Sequence, residues 1–173
     1  MSMSNTKNME NLLKKIEAYP SYKVALRLTS HAATSLSVIG FAFLAIISAK
    51  ASILHLLELL LILGVPFVAV SILRRVINAP RPYEVYDFYA EPPKKKRGHS
   101  FPSRHAHSVF AIGTALCFAD PLLGAVLLAF GVLLCTARVL LGIHFIRDVL
   151  AGALTGTVST LLGKLIFSLI QKG

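Results

Sequence analysis

The sequence predicts an all-α integral membrane protein: a bundle of five membrane-spanning helices preceded by a helix lying on the interface. Composition is the first observation behind that class. Of 173 residues, 55% are apolar and only 15% charged, with a mean hydropathy of +0.68, whereas a soluble domain averages about a quarter charged residues. The same richness in Leu, Ile, Val and Phe excludes a disordered chain. The second observation is that the apolar residues gather into runs of about 20, the length a helix needs to cross roughly 30 Å of hydrocarbon.

Taken in chain order, Met9–Arg27 mixes Leu12, Leu13, Ile16 and Val24 with Lys14, Lys15, Lys23 and Arg27 and is broken by Pro20. That pattern suits a helix lying in the interface plane, so residues 1–27 are assigned to it and 28–170 to the bundle core of a single domain. Charges run through the place where a signal peptide would need its apolar stretch, and Ser2 stands where myristoylation needs glycine, so no leader or lipid anchor is expected. Four runs reach span length directly: Leu28–Ala49, Ile53–Leu73, Pro121–Leu141 and Val149–Ile170. A fifth, Pro102–Phe118, has 17 residues and spans if its first turn sits below the bilayer surface. Lys50–Ser52 and Ala119–Asp120 are tight turns, whereas Arg74–Phe101 is a long polar segment holding four of the eight prolines and the basic run Lys94–Arg97. Tyr83, Tyr86, Phe88 and Tyr89 in that segment suit an interfacial aromatic belt. Cys117 and Cys135 lie inside apolar runs and are expected to serve packing.

The net charge of +10 in so apolar a chain points to anionic lipid or phosphate rather than nucleic acid. With five spans, the N-terminus, the Arg74–Phe101 segment and the Gly142–Asp148 connection share one face of the membrane. Arg74, Arg81, Ser103, Arg104, His105, His107, Arg138, His144 and Asp148 therefore converge there from four helices.

An ionisable group inside a span is expensive unless an opposite charge meets it. Arg138 lies on the last turn of an apolar run, and a phosphate would supply that charge in bidentate geometry. Arg75, Arg147 and Lys164 need only interfacial snorkelling. His144 and Asp148 are four apart, which on a helix sets them on one face. A carboxylate on one ring nitrogen would fix the tautomer and leave the other nitrogen as nucleophile or base. Pro102 reads as a helix start, whose free N–H groups favour an anion. His105 in that first turn is placed to protonate a leaving oxygen. His107, about 200° further round the helix, is expected to pack. His55 and Glu58, early in the second span, are expected to pair with each other.

These residues carry a resemblance. Arg74-x6-Arg81-Pro82, Pro102-Ser103-Arg104-His105 and Ala137-Arg138-x5-His144-x3-Asp148 are similar to the three signatures of the type 2 phosphatidic acid phosphatase family, membrane relatives of the vanadium haloperoxidases: Lys-x6-Arg-Pro, Pro-Ser-Gly-His and Ser-Arg-x5-His-x3-Asp. The match covers roughly residues 60–160. The resemblance implies a phosphatase in which His144 attacks phosphorus to form a phosphohistidine, Asp148 orients its ring and His105 protonates the departing alkoxide. It implies that Arg74, Arg81 and Arg138, with Ser103, hold the phosphate oxygens, and that no metal or other cofactor is needed. Arg74 replaces the family's Lys, Ala137 its Ser and Arg104 its Gly. Arg104 must turn toward phosphate or leave the pocket, and it is kept as a candidate phosphate ligand.

The expected activity is hydrolysis of a lipid phosphomonoester or diphosphate, such as phosphatidic acid, phosphatidylglycerophosphate or a polyprenyl diphosphate, by a multi-pass protein of the cell membrane. Its partners would be the lipid substrate and membrane lipids, with no nucleic acid; the oligomeric state stays open. Three alternatives remain: a phosphotransferase using the same histidine, a non-catalytic binder of anionic lipid, and a metal site built from His105, His107, His144 and Asp148. Orientation is also open. The face bearing the candidate site carries 15 of the 18 Lys and Arg, which the positive-inside rule would put in the cytoplasm, whereas the resemblance implies the opposite side.

Overall fold

The computed structural model describes residues 19–85 and 97–172. The chain is all-α: α1 (Pro20–Ala51), α2 (Ile53–Ile77), a single turn α3 (Pro82–Val85), α4 (Arg104–Ala119), α5 (Pro121–Leu140) and α6 (Ile146–Lys172). Four of the helices, α1, α2, α5 and α6, are long and apolar enough to cross a membrane. The fifth, α4, has 16 residues, about 24 Å at 1.5 Å per residue, and lies at the centre of the bundle, packed mainly on α6 and α5.

Local chemistry fixes the ends. Pro20 opens α1 and Pro121 opens α5 at a position where the missing N–H is harmless. The Ser52 and Asp120 side chains accept from His55 N and Leu123 N, closing the tight turns before α2 and α5. Asn78, in the left-handed region at φ 43°, ends α2. Two boundaries differ from the sequence expectation. Residues 20–27, assigned to the interfacial helix, form the first turns of α1; residues 1–18 lie outside the described residues. Pro102 does not begin α4 but precedes it, and Ser103 caps it.

Packing is centred on small residues. A Cβ on Gly152 or Gly156 of α6 would collide with the backbone of α4 at Ser103 O and His107 O respectively, so the two helices touch backbone to backbone, as Gly-x3-Gly faces do in membranes. Thr160 Oγ1 adds a hydrogen bond to Ala111 O across that seam at 3.3 Å. Leu44, Leu59, Ile62, Val109, Leu116, Leu127 and Leu134 form the core, which Cys135 joins from its edge. Outward-facing Leu54, Leu122, Leu150, Leu154 and Ile170 present aliphatic surface suited to lipid.

At the end of the bundle away from Arg74, the structure corrects the polar pairing. Glu58 does not pair with His55. Its carboxylate accepts from Lys164 Nζ at 2.9 Å and from Gln171 Nε2 at 3.3 Å, tying α2 to α6, while His55 Nδ1 lies 2.6 Å from Ser52 Oγ. Lys164 is thus an ion-pair partner rather than a snorkelling interfacial lysine.

Candidate active site

The site forms where the start of α4, the α5–α6 connection and the end of α2 meet. The close α4–α6 approach lets Ser103 N–H donate to Asp148 O at 2.9 Å, pinning the α4 start to the first turn of α6. After α5, Gly142 takes φ 65°, a left-handed conformation that glycine adopts without strain. Ile143 N and His144 N then turn back to Arg138 O at 3.0 and 3.3 Å. This tight reversal swings His144 under the arginine. Asp148 is buried at the α6 N-terminus, where the helix dipole favours a carboxylate, and its Oδ2 accepts from Phe145 N–H at 2.9 Å.

These elements enclose a cavity of about 610 Å³, which also reaches α1 and the segment leading to α4. Arg27, Arg74, Arg75, Arg81, Arg97, Arg104 and Arg138 line it together with His105 and His144, and among the described residues no Asp or Glu does. Arg138 Nε is buried with no hydrogen-bond partner among the described residues. Arg74 is buried and gives one N–H to Pro102 O at 3.3 Å, leaving other guanidinium donors over. Arg81 donates from Nε to Gly98 O at 3.0 Å and stacks beside Tyr83. An arrangement with this much unmatched positive charge in a partly enclosed space fits a polyanion, and guanidinium forks fit phosphate oxygens.

Six of the residues expected from the sequence meet around this cavity: Arg74, Arg81, Arg104, His105, Arg138 and His144. Arg104 is exposed on its wall. Asp148 stands directly behind His144, with Oδ2 3.6 Å from Nδ1. Ser103 is placed differently: it is fully buried, its hydroxyl accepts from Ala106 N at the α4 cap, and it is not among the cavity-lining residues. His107 turns away to pack, with Nδ1 3.2 Å from Thr155 Oγ1 and its ring beside Phe67. No three His, Cys, Asp or Glu side chains among the described residues form a group that could hold a metal ion, so the four-residue metal site weighed above does not assemble there. Arg147 is largely exposed, over the Phe145 ring, with Nε 3.6 Å from Asp148 Oδ1. Of the basic run, Lys94, Lys95 and Lys96 lie outside the described residues, as do Tyr86, Phe88 and Tyr89.

His144 sits in the connection between α5 and α6, and burial is the main influence on it, holding its imidazole below the usual histidine range. The Arg81 and Arg74 charges push the same way, while Asp148 pulls back. The ring is therefore neutral at pH 7, with one nitrogen lone pair free for chemistry.

Sequence reasoning missed Ser100, whose Oγ lies 2.5 Å from Asp148 Oδ2 and 3.3 Å from His144 Nδ1. It also missed the α1 contribution of Arg27, Ser30 and His31, and Ser71 on α2. The spacing of Arg27, Ser30 and His31, three and four apart, was a visible sign that one face of α1 is polar.

Comparison with known proteins accords with this geometry. A crystal structure described as the first transmembrane PAP2 type phosphatidylglycerolphosphate phosphatase from Bacillus subtilis superposes with a TM-score of 0.68 at 23% identity, over 98% of this chain and 89% of that one. The crystal structure of Aquifex aeolicus LpxE superposes with a TM-score of 0.65 at 23% identity, over 88% of this chain and 92% of that one. No match was found among curated proteins. The family profile described as the PAP2 superfamily matches residues 55–172, from the start of α2 to the end of α6. The chain is a multi-pass membrane protein and belongs to the PAP2 superfamily.

Proposed function

We propose that this protein is a metal-independent phosphatase of lipid phosphates or diphosphates, working through a phosphohistidine at His144. The observation that carries the reading is the convergence, on one cavity at the end of a membrane bundle, of a buried neutral histidine and arginines without a carboxylate among the described lining residues. One of the two neighbours in fold, described as a phosphatidylglycerolphosphate phosphatase, agrees with it.

In this reading the lipid stays in the bilayer and presents its head group to the cavity. Arg74, Arg81 and Arg138 hold the non-bridging oxygens and match the charge that develops as phosphorus becomes pentacoordinate. The His144 Nε2 lone pair attacks phosphorus, and the bond to the leaving oxygen breaks. His105 delivers a proton to that oxygen, so the lipid alcohol, or the lipid monophosphate from a diphosphate, departs protonated. The resulting phosphoimidazolium is stabilised by Asp148 behind it. Water, deprotonated by the now neutral His105, attacks the phosphohistidine, releasing inorganic phosphate and restoring both histidines. Arg104 and Arg27 line the approach, and Ser103 acts through the α4 cap.

The test is phosphate release from a panel of lipid phosphates and diphosphates in detergent, with and without EDTA, for wild type and His144→Ala. Chelator-resistant release that the substitution abolishes is expected. Release that EDTA abolishes, or that survives His144→Ala in full, overturns the reading.

A further inference from the structure

The imidazole and the carboxylate of the site do not touch. His144 Nδ1 and Asp148 Oδ2 are 3.6 Å apart, too far for a side-chain hydrogen bond. Ser100 Oγ fills the gap, 2.5 Å from Asp148 Oδ2 and 3.3 Å from His144 Nδ1. All three side chains are sealed from solvent, Ser100 and Asp148 at 0% exposure and His144 at 1%.

We propose that Ser100 is the positioning residue of the site, a hydroxyl relay inserted between His144 and Asp148 that orients the histidine and sets its tautomer. The direction of the relay follows from counting protons. A serine hydroxyl has one proton, and the 2.5 Å separation from a carboxylate oxygen requires it to lie between those two atoms. Reversing the hydroxyl would set two bare oxygens against each other. The lone pair of Ser100 Oγ therefore faces Nδ1, which must carry the hydrogen, and Nε2 is left bare. Asp148 Oδ2 is held in turn by Phe145 N–H at 2.9 Å, and Ser100 N–H donates to Ala79 O at 2.9 Å, so both ends of the relay are anchored to backbone. When Nε2 bonds to phosphorus, no proton moves along the relay. Nδ1–H, the hydroxyl dipole and the carboxylate line up against the positive charge that the ring acquires.

This inference rests on the nucleophilic role proposed for His144, and the experiment separates the two. Ser100→Ala, Asp148→Asn and the double variant are purified, shown to be folded by thermal unfolding in detergent, and assayed on the best wild-type substrate. Ser100→Ala is expected to lower kcat about 100-fold or more with KM within about threefold, because a misoriented or wrong-tautomer imidazole fails in the transition state and not in binding. The double variant is expected to be no worse than the poorer single variant, since the two residues act as one unit. Ser100→Cys, which retains a weak donor of similar size, is expected to recover part of the loss. Wild-type kcat in Ser100→Ala, a loss confined to KM, or losses that multiply in the double variant would overturn the relay. Should the alanine variant fail to fold, Ser100→Cys decides: about a tenfold loss in kcat at unchanged KM supports the relay, and wild-type kcat overturns it. Failure of the phosphatase reading shows separately, as wild type that releases no phosphate or His144→Ala that releases it in full.

Discussion

The two ends of the bundle both carry ionisable groups, and they treat them oppositely. At one end Glu58 is matched by Lys164 and Gln171, with the carboxylate satisfied on both oxygens and two helices tied together. At the other, among the described residues, seven arginines line a cavity with no acidic side chain on its wall, and Arg138 Nε is buried without a hydrogen-bond partner. A charge cluster that neutralises itself is part of the fold. One left unbalanced in a low-dielectric surrounding calls for a counter-charge, which the function proposed above assigns to a ligand. That difference separates a structural clasp from a functional site more sharply than the residue types do, since both ends are made from ordinary charged side chains near span ends.

The comparison breaks most readily at Arg138. Arg138→Ala removes the guanidinium and is expected to reduce kcat/KM about 10²–10³-fold, the range for a lost donor at a developing charge. Arg138→Lys should restore only part, because an ammonium cannot reproduce the fork. Near-normal kcat/KM for the alanine variant, measured on a lipid phosphate in detergent, would put Arg138 with the structural charges.

A smaller effect sharpens the site end through pH. Burial lowers the pKa of His144 in the folded protein, so Nε2 stays unprotonated at neutral pH and becomes protonated only below the usual histidine value of about 6.5. The acid limb of kcat/KM should therefore fall about tenfold per pH unit with its midpoint below that value. A midpoint above 6.5 would mean that the ring is held charged, contrary to its surroundings.

The smallest expected effect on activity belongs to the clasp. Glu58→Gln leaves Lys164 without its counter-ion. With the lysine side chain 34% exposed, the loss of stability should be about 1–2 kcal/mol, less than for a fully buried pair. Thermal unfolding should register it while kcat stays within about twofold of wild type. Loss of kcat in a variant that remains folded would mean that the far end communicates with the site.

Much of this was legible in the sequence because it is local or periodic. The apolar runs placed α2 and α5 to within a few residues, and the spacing of Arg138, His144 and Asp148 set those side chains within one reversal of the chain. What escaped depends on contacts between distant segments. Ser100 meets His144 and Asp148 across 44 and 48 positions, where the close approach at Gly152 and the Ser103 N–H to Asp148 O bond join α4 to α6. Glu58 found Lys164 across 106 positions, whereas a local rule favoured His55 one turn away. The cap at Ser103 was hidden for a related reason: a hydroxyl beside a histidine motif reads as a ligand, whereas in the structure it accepts from Ala106 N in the first turn of α4.

The most direct test of the central claim is to trap the intermediate. Wild type mixed with a lipid phosphate labelled at phosphorus, quenched within the first turnover and digested under alkaline conditions that preserve phosphohistidine, should carry the label on the peptide containing His144. His144→Ala should carry none, and Asp148→Asn should carry less. Turnover in wild type with no label on that peptide, or label that persists in His144→Ala, would contradict the account.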